Sequence, residues 1–202
     1  HKNGSLYLVD CVTSLGGIDI KMDEWFIDAL YSGTQKCLSC PPGLSPVSFS
    51  DEALKKLNNR KTKVPNWYLD LSMIAKYWSG ESRVYHHTAP INMLYGLYQA
   101  CFNIIDEGLA NVVQRHIDMH NLLVSELKTL NLELFVEKSV QLPMLNSIII
   151  PEGVNDEEVR SRLLNEYQIE IGGGLGPLAG KIWRIGLMGE TAKKESIQKL
   201  MD

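Results

Sequence analysis

Apolar positions along the chain fall into two patterns, short continuous runs and stripes spaced three and four residues apart. Leu6-Tyr7-Leu8-Val9 is a short run closed by Asp10, the pattern of a strand buried on both faces whose carboxyl end carries a polar group. Ala29-Leu30-Tyr31 reads as a second strand, with the turn signal Gly16-Gly17 between the two. Pro41-Pro42-Gly43 interrupts the chain and Pro46 to Phe49 reads as a third strand. Ser50 and Asp51 then offer an N-cap to a helix over Glu52 to Asn59. From Pro90, the positions Leu94, Leu97, Tyr98, Cys101 and Ile105 predict a helix that ends at Gly108. Leu109, Val112, Val113, His116, Ile117, His120, Val124 and Leu127 paint one face of a second long helix, from Leu109 to about Leu130, which serves as a domain connector. Beyond it the pattern predicts strands at Leu132 to Val136, Ser147 to Ile150, Gln168 to Ile171 and Ile182 to Ile185. Helices are predicted over Asp156 to Tyr167 and from Thr191. Strands alternating with helices define an α/β protein.

Composition narrows the function classes. With 45% hydrophobic and 22% charged residues, the 202-residue chain has enough apolar surface to offset its conformational entropy, which excludes disorder. Basic residues are scattered apart from Arg60, Lys61 and Lys63, and the formal net charge is −4, so nucleic acid is not an expected partner. No stretch approaches the ~18 apolar residues of a membrane span. Four cysteines without framework spacing point to a reducing compartment. The chain opens at His1 without an initiator Met or a signal-like segment and reads as a piece of a longer protein.

The chemistry concentrates in Leu8-Val9-Asp10 and in Tyr31-Ser32-Gly33-Thr34-Gln35-Lys36, which starts 21 positions after Asp10. In open α/β sheets ligands sit beyond the carboxyl ends of strands. An acid at one such end and a lysine in a small-residue turn after another are the pair that pyridoxal phosphate chemistry requires. The amine forms a Schiff base with the cofactor aldehyde, and the carboxylate keeps the pyridine nitrogen protonated. On spacing alone, a turn or capping role for Asp10 and a solvated Lys36 remain alternatives.

Four segments, in order, resemble those of the class V, fold-type-I aminotransferases. They are Val9 to Gly17, Ser32 to Lys36 with Pro41-Pro42-Gly43, Tyr85-His86-His87-Thr88, and Gly180-Lys181-Ile182-Trp183-Arg184-Ile185-Gly186. They are most similar to the alanine-glyoxylate and serine-pyruvate group, which includes insect 3-hydroxykynurenine transaminases. The resemblance covers about half of a complete family member, from midway through the large domain to within the last helix. It implies part of a mixed, mostly parallel large-domain sheet over residues 1–107, then a smaller α+β C-terminal domain over 108–202. It also implies pyridoxal 5′-phosphate as cofactor, with Lys36 as Schiff-base lysine and proton shuttle and Asp10 as pyridinium partner. Gln35 is placed at the ring edge, and Tyr85 and Thr88 reach the cofactor phosphate of the other subunit of a homodimer. Arg184 grips the substrate carboxylate. The implied substrates are alanine or serine with glyoxylate or another 2-oxo acid, or 3-hydroxykynurenine. The implied compartment is the peroxisome, with mitochondrion or cytoplasm as alternatives. The phosphate cup and the ring-stacking aromatic of the family are not among these residues, so a catalytically silent piece that acts only in subunit association is a further reading.

Other motifs have plainer readings. Gly174-Leu175-Gly176-Pro177-Leu178-Ala179 fits a dinucleotide fingerprint, but Pro177, Gly180 and a strand follow where a helix should begin, so it reads as a strand-joining loop that presents Arg184. Cys37-Leu38-Ser39-Cys40 has redox or zinc spacing without a second pair and reads as local packing. His116 and His120, four apart, lack a third ligand and read as hydrogen-bonded core histidines. His86 and His87 read as backbone anchors beside the phosphate. Trp25, Trp67, Trp78 and Trp183 lie on different elements and read as core and interface packing, with Trp67-Tyr68 bordering a subunit contact.

Overall fold

The structure, a computed structural model, describes residues 4–79 and 84–202. Its first sheet has the order β1 (Leu8–Asp10), β2 (Ala29–Tyr31), β3 (Val47–Phe49). β1 and β2 are parallel with Asp10 opposite Tyr31, whereas β2 and β3 are antiparallel, so this three-stranded sheet is mixed. β1 differs from its expected environment. Tyr7 is 51% and Leu8 63% exposed, whereas Ala29 and Leu30 of the neighbouring β2 are buried. Cys11, Ile27 and Leu30 form the small core beneath it.

Helix α1 (Asp51–Asn58) starts where the sequence places its cap, with Ser50 Oγ accepting the Ala53 amide at 3.2 Å. The same hydroxyl donates to Asp28 Oδ1 at 2.8 Å and ties the helix to β2. α2 (Leu71–Ser79) was not expected. Its signal is Asp70, whose Oδ1 accepts the Ser72 amide at 3.0 Å, followed by apolar residues at helical spacing. α3 (Ile91–Glu107) and α4 (Leu109–Thr129) are separated by Gly108 at φ 85°, a conformation that favours glycine.

The second sheet is antiparallel, in the order β4 (Leu145–Ile149), β6 (Ile182–Gly186), β5 (Gly172–Gly173). Its buried face and the inner faces of α4 and α6 (Lys194–Met201) share one core, centred on the fully buried Leu123, Ile148 and Ala192 with Ile197 beside them. Burial of a side chain such as Leu123 contributes on the order of 2 kcal/mol. α5 (Asp156–Tyr167) has the predicted bounds, set by Asn155 accepting the Glu158 amide at one end and left-handed Gln168 at the other.

Two predicted strands are not strands. Leu132 to Val136 keeps the period-two burial of a strand, yet it meets the sheet at a single bridge, Leu134 to Ile148. Gln168 to Ile171 closes α5 instead: the amides of Gln168 and Ile169 donate to the carbonyls of Leu164 and Leu163, so the ladder cannot begin before Gly172. The final helix also starts later than expected, after a short 3-10 turn at Gly189–Thr191.

Candidate functional site

Asp10 and the Lys36 turn share the carboxyl edge of the first sheet, because β1 and β2 run parallel and end side by side. Asp10 Oδ1 accepts the Val12 amide at 2.8 Å and Oδ2 accepts the Tyr31 hydroxyl at 2.7 Å. The Val12 amide, and after it the Tyr31 hydroxyl, hold the Asp10 carboxyl below the usual carboxylate range, while the hydrogen bond to Asp10 pushes the Tyr31 phenol up. A fixed anion therefore stands at the sheet edge at neutral pH.

Lys36 is half-buried in a turn fastened at several points. Thr34, fully buried, donates from Oγ1 to the Pro41 carbonyl at 2.7 Å, and the Cys40 amide donates to the Thr34 carbonyl at 3.0 Å. Ser32 Oγ donates to the Cys11 carbonyl at 2.9 Å, which joins the segment after β1 to the segment after β2. The Lys36 carbonyl accepts the Ser39 amide at 2.9 Å. Gln35 is exposed and lines a cavity of about 670 Å³ together with Tyr31, Ser32, Gly33, Tyr68 and His87.

Tyr85 and Thr88 are exposed, and their hydroxyls lie 2.8 Å apart. Between them His86 is buried, stacked on Trp67 at 4.3 Å between ring centroids and bonded through Nε2 to the Trp67 carbonyl at 3.1 Å. A carbonyl only accepts, so Nε2 carries the proton and Nδ1 accepts from His87 Nδ1 at 2.7 Å. His86 thus anchors the Tyr85 to Thr88 segment to backbone.

Arg184 stands on β6, opposite Gly172 of β5 and Ser147 of β4. Its Nε donates to the Gly173 carbonyl at 2.7 Å, and a Cβ on Gly172 would lie 3.3 Å from Nη2. The bare Gly172-Gly173 pair therefore lets the guanidinium lie across the strand. Gly174 to Ala179 is the connection between β5 and β6, a hairpin with a 3-10 turn and no helix after it, which disposes of the dinucleotide reading.

The remaining motifs are structural. Cys37 Sγ donates to the Thr13 carbonyl at 3.2 Å, and burial pushes its thiol up to about 11, while Cys40 is buried beside Gly96. His116 is fully buried, with Nδ1 donating to the Val112 carbonyl at 2.7 Å and Nε2 accepting the Gly189 amide at 2.9 Å. His120 is only half-buried and bonds Asn146 Oδ1 at 2.7 Å. Sequence reasoning missed Tyr31 as the partner of Asp10, although two strand ends in parallel register make neighbours of their last residues.

The model of the family described as aminotransferase class-V matches residues 1–191. The chain belongs to this family. Class V aminotransferases depend on pyridoxal phosphate. Among curated relatives, the alanine–glyoxylate aminotransferase of Drosophila melanogaster is 42% identical over 100% of this chain and 52% of that protein. The (S)-ureidoglycine–glyoxylate transaminase of Bacillus subtilis is 37% identical over 96% of this chain and 50% of that protein. Among solved structures, the alanine–glyoxylate aminotransferase of a Nostoc species superposes with a TM-score of 0.97 at 52% identity, covering 99% of this chain and 53% of that one. The chain spans about half the length of the relatives it matches. Among the described residues, no helix of this class V chain is long and apolar enough to cross a membrane.

Proposed function

We propose that the parent protein is a pyridoxal-phosphate-dependent aminotransferase that moves the amino group of a small amino acid, alanine or serine, to glyoxylate or another 2-oxo acid. The observation that carries this reading is the Asp10 carboxylate, held anionic by Val12 and Tyr31 at the same sheet edge from which the small-residue turn of Lys36 rises. The donor set fits the cofactor, since a positioned anion suits a pyridine nitrogen and the small residues Ser32 and Gly33 of the lysine turn line an open cavity. When bound, the cofactor supplies an aldehyde that condenses with amines and a ring that draws electrons from the substrate Cα.

Each residue then has a defined task. Lys36 carries the cofactor through its amine and moves the proton at the substrate Cα. Asp10 accepts the N–H of the pyridine ring and keeps the ring cationic, a preorganised electrostatic contribution. Arg184, aimed by Gly173, offers its terminal nitrogens as a fork to the substrate carboxylate. Gln35 reaches the ring edge. Tyr85 and Thr88 serve the cofactor phosphate of a second subunit in a homodimer, and the two domains meet at the break between residues 107 and 108. The relatives reported above are named for alanine and ureidoglycine as amino donors and glyoxylate as acceptor, which favours alanine over a kynurenine here. The peroxisome is the compartment we assign to the parent enzyme, and a fluorescent fusion of the full reading frame checks it.

Borohydride reduction of the full-length protein with pyridoxal phosphate, followed by peptide mapping, tests the central assignment. A reduced cofactor adduct on Lys36, absent in Lys36→Ala, is expected. No adduct at this position overturns the reading.

A further inference from the structure

Lys36 lies in the turn that follows β2 of the first sheet and Arg184 on β6 of the second, yet a short chain of close contacts connects them. Gly189 follows Arg184 by five positions and Ser39 follows Lys36 by three. The two segments meet where the Glu190 amide donates to Ser39 Oγ at 2.8 Å. The approach is as close as backbone allows, since a Cβ on Gly189 would collide with Ser39 Oγ and with the Cys37 carbonyl. Both residues hold left-handed backbones, Gly189 at φ 55° and Ser39 at φ 55°, a conformation that is strained for Ser39.

The Gly189 side of the contact is fixed from behind. Its amide donates to fully buried His116, and its carbonyl accepts Arg115 Nη1 at 2.7 Å. Arg115 also reaches the Ala192 carbonyl at 3.2 Å and forms a two-pronged pair with Glu107, at 2.6 and 2.9 Å. Two side chains of α4, His116 and Arg115, thus clamp Gly189 to that helix, and the hydrogen bond from the next residue's amide to Ser39 passes the position on to the lysine turn.

We propose that the Ser39 to Gly189–Glu190 contact is a junction that sets the register between Lys36 and Arg184, which makes Ser39 a positioning residue for the proton transfer at the substrate Cα. The inference rests on the aminotransferase reading above. A substrate carboxylate gripped by Arg184 presents its Cα at a distance from Lys36 that the junction fixes. Loosening the junction leaves the grip intact and misplaces the amine. A displacement of about 1 Å at such a step can cost up to about a hundredfold in rate.

The test uses the full-length enzyme with Ser39→Ala and Ser39→Gly. Both remove the acceptor of the Glu190 amide, but glycine also relieves the left-handed strain. Expected in both variants are a fall in kcat of roughly tenfold at a nearly unchanged KM and a larger isotope effect with Cα-deuterated alanine. Hydrogen exchange over residues 34–40 of the cofactor-free protein should also be faster, and the Lys36 adduct should be retained. Recovery of wild-type kcat in Ser39→Gly alone would assign Ser39 to local backbone strain and overturn the proposal. So would wild-type kcat and exchange in both variants, or a rise in KM with kcat unchanged. An absent Lys36 adduct in the wild-type enzyme removes the aminotransferase reading and this proposal with it, whereas an intact adduct with unaltered variants removes the junction alone.

Discussion

Asp10 Oδ2 and the Tyr31 hydroxyl lie 2.7 Å apart across the last parallel rung of β1 and β2. The phenol is thus built into the carboxylate that we assign to the pyridine nitrogen. Tyr31→Phe removes the smaller of the two hydrogen bonds that lower the Asp10 pKa, so the value should rise while the Val12 amide still holds it down. The sign follows from linkage: a depressed carboxyl stabilises the fold above its unfolded value, and that contribution is lost as pH falls through the folded value. An NMR titration of the Asp10 carboxyl between pH 2 and 6 checks this. An unchanged midpoint would show that the phenol is not a donor to it.

The Gly173 carbonyl orients Arg184, and a side chain on Gly172 would press on Nη2. Arg184→Lys replaces a planar fork by a point charge and should raise KM for amino and oxo acids alike by roughly tenfold or more. Gly172→Ala should shift both KM values in the same direction by a few-fold. Steady-state kinetics on the full-length enzyme measures both, and an effect confined to cofactor affinity would contradict the carboxylate role.

His116 is buried as the neutral imidazole, with its pKa lowered chiefly by desolvation. Between that lowered value and the ordinary 6.5, the unfolded chain binds a proton that the folded chain excludes. Stability should therefore be full above about pH 6.5 and decline as pH falls below it. His116→Ala should flatten this part of the profile. At pH 7.5 it should cost ~2–4 kcal/mol, because it opens a cavity and leaves the Gly189 amide unpaired. Urea unfolding at pH 7.5 and 5.5 compares the two proteins.

Cys37, with its thiol pushed up to about 11, is protonated at pH 8. Iodoacetamide at that pH should leave it unmodified in the native protein and label it after denaturation, as read by peptide mass spectrometry. Rapid native labelling, or a Cys37–Cys40 disulfide under mild oxidation, would restore the redox reading of this pair.

How much of this was legible depended on how local each signal is. α1 and α5 were readable because a capping side chain, a charged first turn and an apolar stripe all lie within a few residues. α2 carried a cap of the same kind at Asp70, but that single polar residue sits between the apolar Trp67-Tyr68-Leu69 and Leu71, which masks the start. Leu132 to Val136 and Gln168 to Ile171 had the composition of strands, but ladder pairing belongs to two segments and not to one: the first meets β4 at one bridge alone, and the amides of Gln168 and Ile169 are taken up by the end of α5.

Asp10 and Lys36 were legible as a candidate pair because each follows a short strand-like run, while their roles and that of Arg184 were implied by the resemblance of four short segments to a known family. The alternation of apolar runs and stripes likewise fixed an α/β class, which is a property of local periodicity. The pairing of Asp10 with Tyr31, the seating of Arg184 on Gly173 and the meeting of Ser39 with Gly189 came only from the folded molecule. Such contacts join positions 11 to 150 residues apart, and their free energy arises from packing and register, which no local pattern encodes.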